Sequence, residues 1–264
     1  MGTTGATFVR FGFGVPFALI YLAFMHYGLG MQLPIPNCEF LRWAIIGAAA
    51  QINFAVGTAY SRTEPAQAAL FALIIAGELL SLGALAAIAI SVVGVMVISV
   101  ARSTVTPLTF ITSLSSRTAL IGLASGAGFG LSSVAYRYAS LSLAPSLPEP
   151  NAVVQAGFTL GVVILIQTIS MLVWMLVKER SEFEKIKKAW KPSLLVGFVG
   201  ATASFGWFTA MTLQQAAVVK ALAQVEMLFA FATSVLIFKE RVNRLEILGC
   251  FLIVCGVFAL LAFG

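Results

Sequence analysis

Gly77–Ile98 (GELLSLGALAAIAISVVGVMVI) and Lys239–Leu261 (KERVNRLEILGCFLIVCGVFALL) decide how this chain folds. They align without gaps at an offset of 162, pairing Glu78 with Glu240 and Gly94 with Gly256, each Glu sixteen residues before its Gly. An internal repeat of apolar helices is the signature of a membrane protein built from two halves.

Composition agrees. Of 264 residues 60% are hydrophobic and 10% charged, with a mean hydropathy of +1.00, more apolar surface than a soluble core of that size could bury. Lipid is therefore the solvent for most of the chain. Nine apolar runs follow one another: Phe8–Tyr27, Leu41–Tyr60, Ala66–Gly77, Leu82–Ala101, Leu120–Tyr138, Val153–Val177, Leu194–Leu213, Ala216–Phe238 and Leu245–Phe263. Eight can span as helices, which satisfy their own backbone hydrogen bonds in lipid. The expected fold is all-α, a polytopic helical membrane protein of two inverted repeats with about nine spans.

The third run is short. Twelve residues rise about 18 Å, against a hydrocarbon core of about 30 Å. The repeat shows what is missing, because Thr58-Ala59-Tyr60 matches Thr209-Ala210-Met211 at an offset of 151 rather than 162. Eleven residues, about three helical turns, are absent from this run relative to its partner. It is then either a half-span or re-entrant element, or residues 65–101 form one long tilted helix. The expected organisation is a first repeat over 1–101, a Ser/Thr-rich linker at 102–117 and a second repeat over 118–264.

Charge sets the orientation. With nine spans, thirteen Lys and Arg fall on one side and three (Arg42, Arg137 and Lys220) on the other, so the amino terminus and the basic stretch Lys178–Pro192 are expected in the cytoplasm. Loops 28–40 and 139–152, with Pro34, Pro36, Pro145, Pro148 and Pro150, are then the exterior turns. The net charge of +6 is accounted for by these loops rather than by a nucleic-acid face. All ten acidic residues are Glu, and His26 is the one histidine. No nucleophile, base and orienting group converge, and Cys38, Cys250 and Cys255 lack metal-ligand spacing, so neither an enzyme, a cofactor nor a metal is expected.

The run from Gln214 to Phe263, with Lys239-Glu240-Arg241, Leu248-Gly249 and Cys255-Gly256-Val257, resembles the second repeat of the EamA-type transporters of the drug/metabolite transporter superfamily. Arg10-Phe11 and Tyr60-Ser61-Arg62-Thr63-Glu64-Pro65-Ala66 resemble places in the first repeat. The resemblance covers nearly the whole chain. It implies ten helices in two inverted five-helix repeats, moving small metabolites, amino acids or drugs through a central cavity, in several cases outward and driven by a cation gradient. Against that pattern the sequence lacks the first helix, has a short fourth and carries no Arg after Glu78. The family is usually drawn with both ends cytoplasmic, whereas the charge count places the carboxyl terminus outside.

Ionisable and polar groups inside spans are costly and mark sites. Glu226, at the centre of the eighth run, is the candidate for proton exchange, with a hydrogen bond to a neighbouring helix as the structural alternative. Lys220 either binds an anionic group or snorkels to the interface; Gln224 shares its face, and Glu226 lies about 120° away on an ideal helix. Gln51, Asn53, Trp207 and Thr209 either line a path or tie helices together. Tyr136 and Arg137 are expected as interface anchors. Ser61 and Glu64 read as a capping pair, and Gly122, Gly126 and Gly130 as close-packing positions. The expected function is export of a small molecule by alternating access, coupled to protons, in a cell membrane of bacterial inner-membrane type. The alternative is a non-transporting paralogue or an interaction subunit. The expected partners are a small-molecule substrate, the bilayer, and a second copy of the chain or a homologue.

Overall fold

The computed structural model describes residues 1–53, 59–101, 117–239 and 242–263, with no side-chain placement for 52, 53, 59, 60, 76 and 118. The linker at 102–116, Thr58, Glu240 and Arg241 therefore lie outside the described residues. The described chain is helical throughout: α1 Thr3–Gly12, α2 Val15–Ala23, α3 Cys38–Asn53, α4 Glu64–Ala76, α5 Leu82–Ala101, α6 Arg117–Leu141, α7 Ala152–Lys178, α8 Glu182–Lys188, α9 Trp190–Leu213, α10 Ala216–Leu222, α11 Glu226–Leu236 and α12 Arg244–Phe263. Among the described residues seven stretches are long and apolar enough to cross a membrane, namely Thr3–Gly28, α5, Ala119–Ser146, α7, α9, Ala216–Leu236 and α12.

Local chemistry explains where the expected runs break. The first begins earlier than Phe8 and is two helices, because Pro16 near the start of α2 has no N–H to continue the α1 ladder. Helix α4 starts at Glu64 with Pro65 in its first turn, and Thr63 rather than Ser61 occupies the cap position. It ends after thirteen residues at Gly77, whose φ of 65° is left-handed; Gly77 N–H then donates to Leu73 O and Glu78 N–H to Ala72 O, closing the last carbonyls. Residues 65–101 are thus not one tilted helix; α4 is a short element of about 20 Å. The eighth run is also interrupted, by a 3₁₀ turn over Ala223–Val225.

The helices gather into two compact units. One comprises Met1–Ile52 and Ala135–Leu213, the other Asn53–Val134 and Gln214–Gly264, so each unit takes helices from both halves of the sequence. In the first, Val9, Met175 and Ile186 form a buried cluster against Phe8, Phe13 and Phe183. Gly2 N–H donates to Glu182 Oε2 at 2.7 Å, tying α1 to α8 within the basic stretch. At other loops Asn37 Nδ2 donates to Ser142 O at 2.8 Å and Ile35 N–H to Ser146 Oγ at 3.1 Å, so the two Pro-rich loops read as sharing a side do bond to each other.

In the second unit the repeat-related helices α5 and α12 pack antiparallel around Val95, Ile98 and Ile253. A Cβ on Gly94 would lie 2.8 Å from Gly249 O and 2.9 Å from Ile253 N; one on Gly256 would lie 2.9 Å from Ala87 O and 2.8 Å from Ser91 N. The repeat offset of 162 turns each contact into the other, so the two glycines make equivalent contacts about a local pseudo-two-fold axis. Only residues without a side chain allow backbones that close, the usual device for helix association in lipid, where apolar burial supplies no driving force. The outer face of α12 instead carries Phe251, Phe258 and Leu261, all more than 60% exposed. Large apolar side chains outward and small ones inward is the arrangement that lipid requires.

Candidate functional site

The second unit brings four charges together, one of them at the centre of a candidate span. Glu226 is the central residue of the Ala216–Leu236 stretch, at the first position of α11. Its Oε1 accepts from Arg62 Nη1 at 2.7 Å. Lys220 Nζ lies 2.8 Å from Glu64 Oε1, which Ser133 Oγ also approaches at 3.4 Å. The depth of Arg62 and Glu64 follows from what they pack on. Cβ atoms on Gly126 and Gly130, near the midpoint of α6, would lie 3.1 Å from Ser61 O and 3.0 Å from Ala68 N, so the glycine spacing does mean close packing there.

The packed segment is not α-helical: Ala59–Thr63 is a 3₁₀ turn, and α4 begins only at Glu64. Non-helical backbone at membrane depth is tolerated where protein covers it, and the glycines of α6 supply that cover. The eleven residues missing from the third run thus bring a helix start to the middle of the unit. Its Glu64 carboxylate sits where the exposed N–H groups of a helix favour negative charge.

Lys220 and Glu226 are separated by a 3₁₀ turn, and both reach the same three-residue stretch, Arg62 to Glu64. The two pairs are crossed, each segment contributing one acid and one base, so the cluster is neutral as a whole. Two amides flank it. Gln67 Nε2 donates to Thr63 Oγ1 at 2.7 Å while its Oε1 is buried without a hydrogen-bond partner. Gln224, 7% exposed, likewise has a buried Oε1 without a partner.

Gln51 belongs to a different constellation, in the first unit. Its Oε1 accepts from Gln167 Nε2 at 2.7 Å and lies 2.7 Å from the Tyr136 hydroxyl, which also lies 3.0 Å from Gly47 O. The Tyr136 ring stacks on Phe208 at 4.5 Å between centroids, and Tyr136 is 2% exposed. Tyr136 is thus the hub of a buried network, not the interface anchor expected from its place near the end of an apolar run. Arg137 Nη1 donates to Met211 O at 2.8 Å and Thr212 O at 3.2 Å, compensating the last carbonyls of α9. Thr209 Oγ1 donates to its own helix at Phe205 O. Trp207 is half-buried, and the Asn53 side chain lies outside the described residues.

Residues 116–262, more than half of the chain, match the EamA-like transporter family. The chain belongs to that family. Its members are membrane transporters of the drug/metabolite superfamily rather than enzymes, and several apolar helices make this member a multi-pass membrane protein. One solved structure, titled as the crystal structure of a protein, is similar over 97% of this chain and 85% of its own with a TM-score of 0.62. At 17% identity that likeness is one of fold. No curated protein matches the sequence.

Within this EamA-like chain the structure brings Lys220 and Glu226 to one segment, places Gln224 beside them, and sets Gln51 apart in the other unit. Arg62, Glu64, Gln67 and Gln167 were not among the candidates. Arg62 and Glu64 read as a loop charge and a helix cap because they interrupt the apolar pattern. The signal available was the shortness of the run behind them: a helix too short to span must begin or end inside the bilayer, and the charges at its head go with it.

Proposed function

We propose that this EamA-like protein is a secondary transporter that exports a small metabolite, amino acid or drug-like molecule by alternating access, with Glu226 as the coupling carboxylate. The observation that carries the reading is the Arg62–Glu226 ion pair at the centre of a candidate span. A carboxylate there is expensive unless paired, and intramembrane acid–base pairs mark ion and proton pathways. Arg62 and a proton compete for the same oxygens. Protonation of Glu226 releases Arg62, and loss of the proton restores the pair, which gives two states that a pH gradient can bias. The pseudo-two-fold packing of Gly94 and Gly256 supports the inverted-repeat basis of alternating access. The expected site of action is a cell membrane.

The test uses proteoliposomes and a solute identified by metabolite profiling of cells overexpressing the protein. Glu226→Gln keeps a hydrogen-bonding partner for Arg62 but cannot lose a proton. Transport driven by a pH gradient should be abolished, while exchange of labelled for unlabelled solute persists. Gradient-driven transport that is unchanged in the variant rules out the coupling role.

A further inference from the structure

We infer that the groove between α4 and the start of α5 seats a phospholipid with a primary ammonium headgroup, its acyl chain lying along α4 and its ammonium meeting Glu78. The site is apart from Glu226 and holds whether or not the chain transports. It lies wholly in the second unit and follows from how the helices there pair. Helix α5 packs on α12 and α4 packs on α10, so two helices joined by only five residues leave a wedge between them. The wedge is a cavity of about 250 Å³. That is less than the roughly 300–1,000 Å³ of a pocket for a drug-sized ligand.

Its lining is that of a trough. Ala66, Ala69, Leu70 and Leu73 line it from α4, at spacings of three, four and seven residues that make one stripe along two helical turns. The stripe is about 10 Å long, within the roughly 15 Å that one leaflet contributes to the hydrocarbon core. Leu79 and Leu85 stand at its sides, and Leu70, Leu73, Leu79 and Leu85 are between 43% and 77% exposed. An open apolar trough of this length takes a flexible chain from the surrounding bilayer. A polar solute would meet a single polar side chain in it, Glu78.

The setting of Glu78 selects the headgroup. It stands just before α5, a candidate span, and so at headgroup depth. It is the single charged residue between Glu64 and Arg102. Ser81 Oγ donates to Phe263 O at 2.8 Å, so this turn sits where α12 ends, about 30 Å from Arg244 at its start. The carboxylate repels an anionic lipid and favours a cationic group. An ethanolamine ammonium brings three N–H donors for a charge-assisted hydrogen bond, and a choline headgroup brings none. The repeat-related turn after Glu240 instead holds Lys239, Arg241 and Arg244, so of the two equivalent turns only the one at Glu78 suits an ammonium.

The experiment measures the unfolding midpoint of the purified full chain in detergent, alone and with added dioleoyl phosphatidylethanolamine, phosphatidylcholine or phosphatidylglycerol, whose acyl chains are identical. Phosphatidylethanolamine should raise the midpoint by about 3 °C more than either of the others. Glu78→Gln should keep the response to phosphatidylcholine and lose the extra response to phosphatidylethanolamine. Ala66→Trp fills the trough and should also lose the preference, whereas Phe251→Trp, on the outer face of α12, should keep it. The midpoint without lipid shows that each variant is folded, and either of the first two variants alone decides the matter. Equal shifts from the three lipids, a larger shift from phosphatidylglycerol, or a preference for phosphatidylethanolamine that survives Glu78→Gln overturns the inference. So does a protein that is dimeric in detergent and becomes monomeric in Ala66→Trp, because a second copy of the chain would then fill the groove.

Discussion

Glu182, in the basic stretch outside the spans, shows how one carboxylate can fix a chain end. It is buried and accepts from Lys185 Nζ at 2.6 Å and from Gly2 N–H at 2.7 Å, and a side chain at Gly5 would collide with it. The Lys185 hydrogen bond first, and the Gly2 N–H second, hold its carboxyl below the ordinary carboxylate range. The folded state thus binds this proton less readily than the unfolded state. The stabilisation is fully present above the unfolded pKa of about 4.3 and is lost as pH falls through the lower folded value. Glu182→Gln should lower the unfolding midpoint at pH 7, and the difference from the parent protein should shrink as the pH is taken below 4. A difference that stays constant down to pH 3 would show that packing, not charge, ties α1 to α8. At this scale the sequence was legible where an ionisable residue stood inside an apolar run, as Lys220 and Glu226 do. It was not legible for Tyr136, because no local pattern shows that Gln51 and Gln167, far away in the chain, converge on one hydroxyl.

Helices α5 and α12 carry the clearest consequence at the scale of an element. A Cβ at either Gly94 or Gly256 would lie within about 3 Å of the partner helix's main chain, so a side chain there must push the pair apart. Gly256→Leu should destabilise the protein by about 1–3 kcal/mol through overpacking, read as a lower unfolding midpoint in detergent. Gly206→Ala in α9, where a Cβ would meet nothing within 4 Å, should leave the midpoint unchanged or slightly raised. Equal effects of the two substitutions would remove the case for a close α5–α12 contact. The ends of α5, α7 and α12 were readable to within a residue because the composition changes sharply at each. The break between α1 and α2 had its signal in Pro16, but a run of apolar residues hides the punctuation inside it. The 3₁₀ turn at Ala223–Val225 had no signal, since Ala, Gln and Val are all acceptable in a helix.

At the scale of the whole molecule, the contacts between loops and the distribution of basic residues give the chain an expected orientation. In the first unit, the amino terminus and Lys178–Lys191 are joined through Gly2 and Glu182, and the loops near Cys38 and Ser142 are joined through Asn37. The positive-inside rule puts the first group in the cytoplasm and the second outside. In cells carrying Cys250→Ala and Cys255→Ala, a membrane-impermeant maleimide should label Cys38, which is exposed. After Cys38→Ser and Ser181→Cys it should label only opened cells. The reverse pattern would put the basic stretch outside, as the family's usual topology does.

The sequence by itself determined the solvent, the helical fold class, the doubling of the chain and the family, because each of these is written in composition and periodicity that any window of residues displays. It also showed, through the two repeat offsets, that α4 is too short to span. Only the tertiary structure decided what that shortness does. A half-length helix can start at a membrane surface or inside the bilayer, and the choice depends on which backbone covers its exposed end. Gly126 and Gly130 of α6 cover it here, and so Arg62 and Glu64 come to meet Glu226 and Lys220 across more than 150 residues of chain.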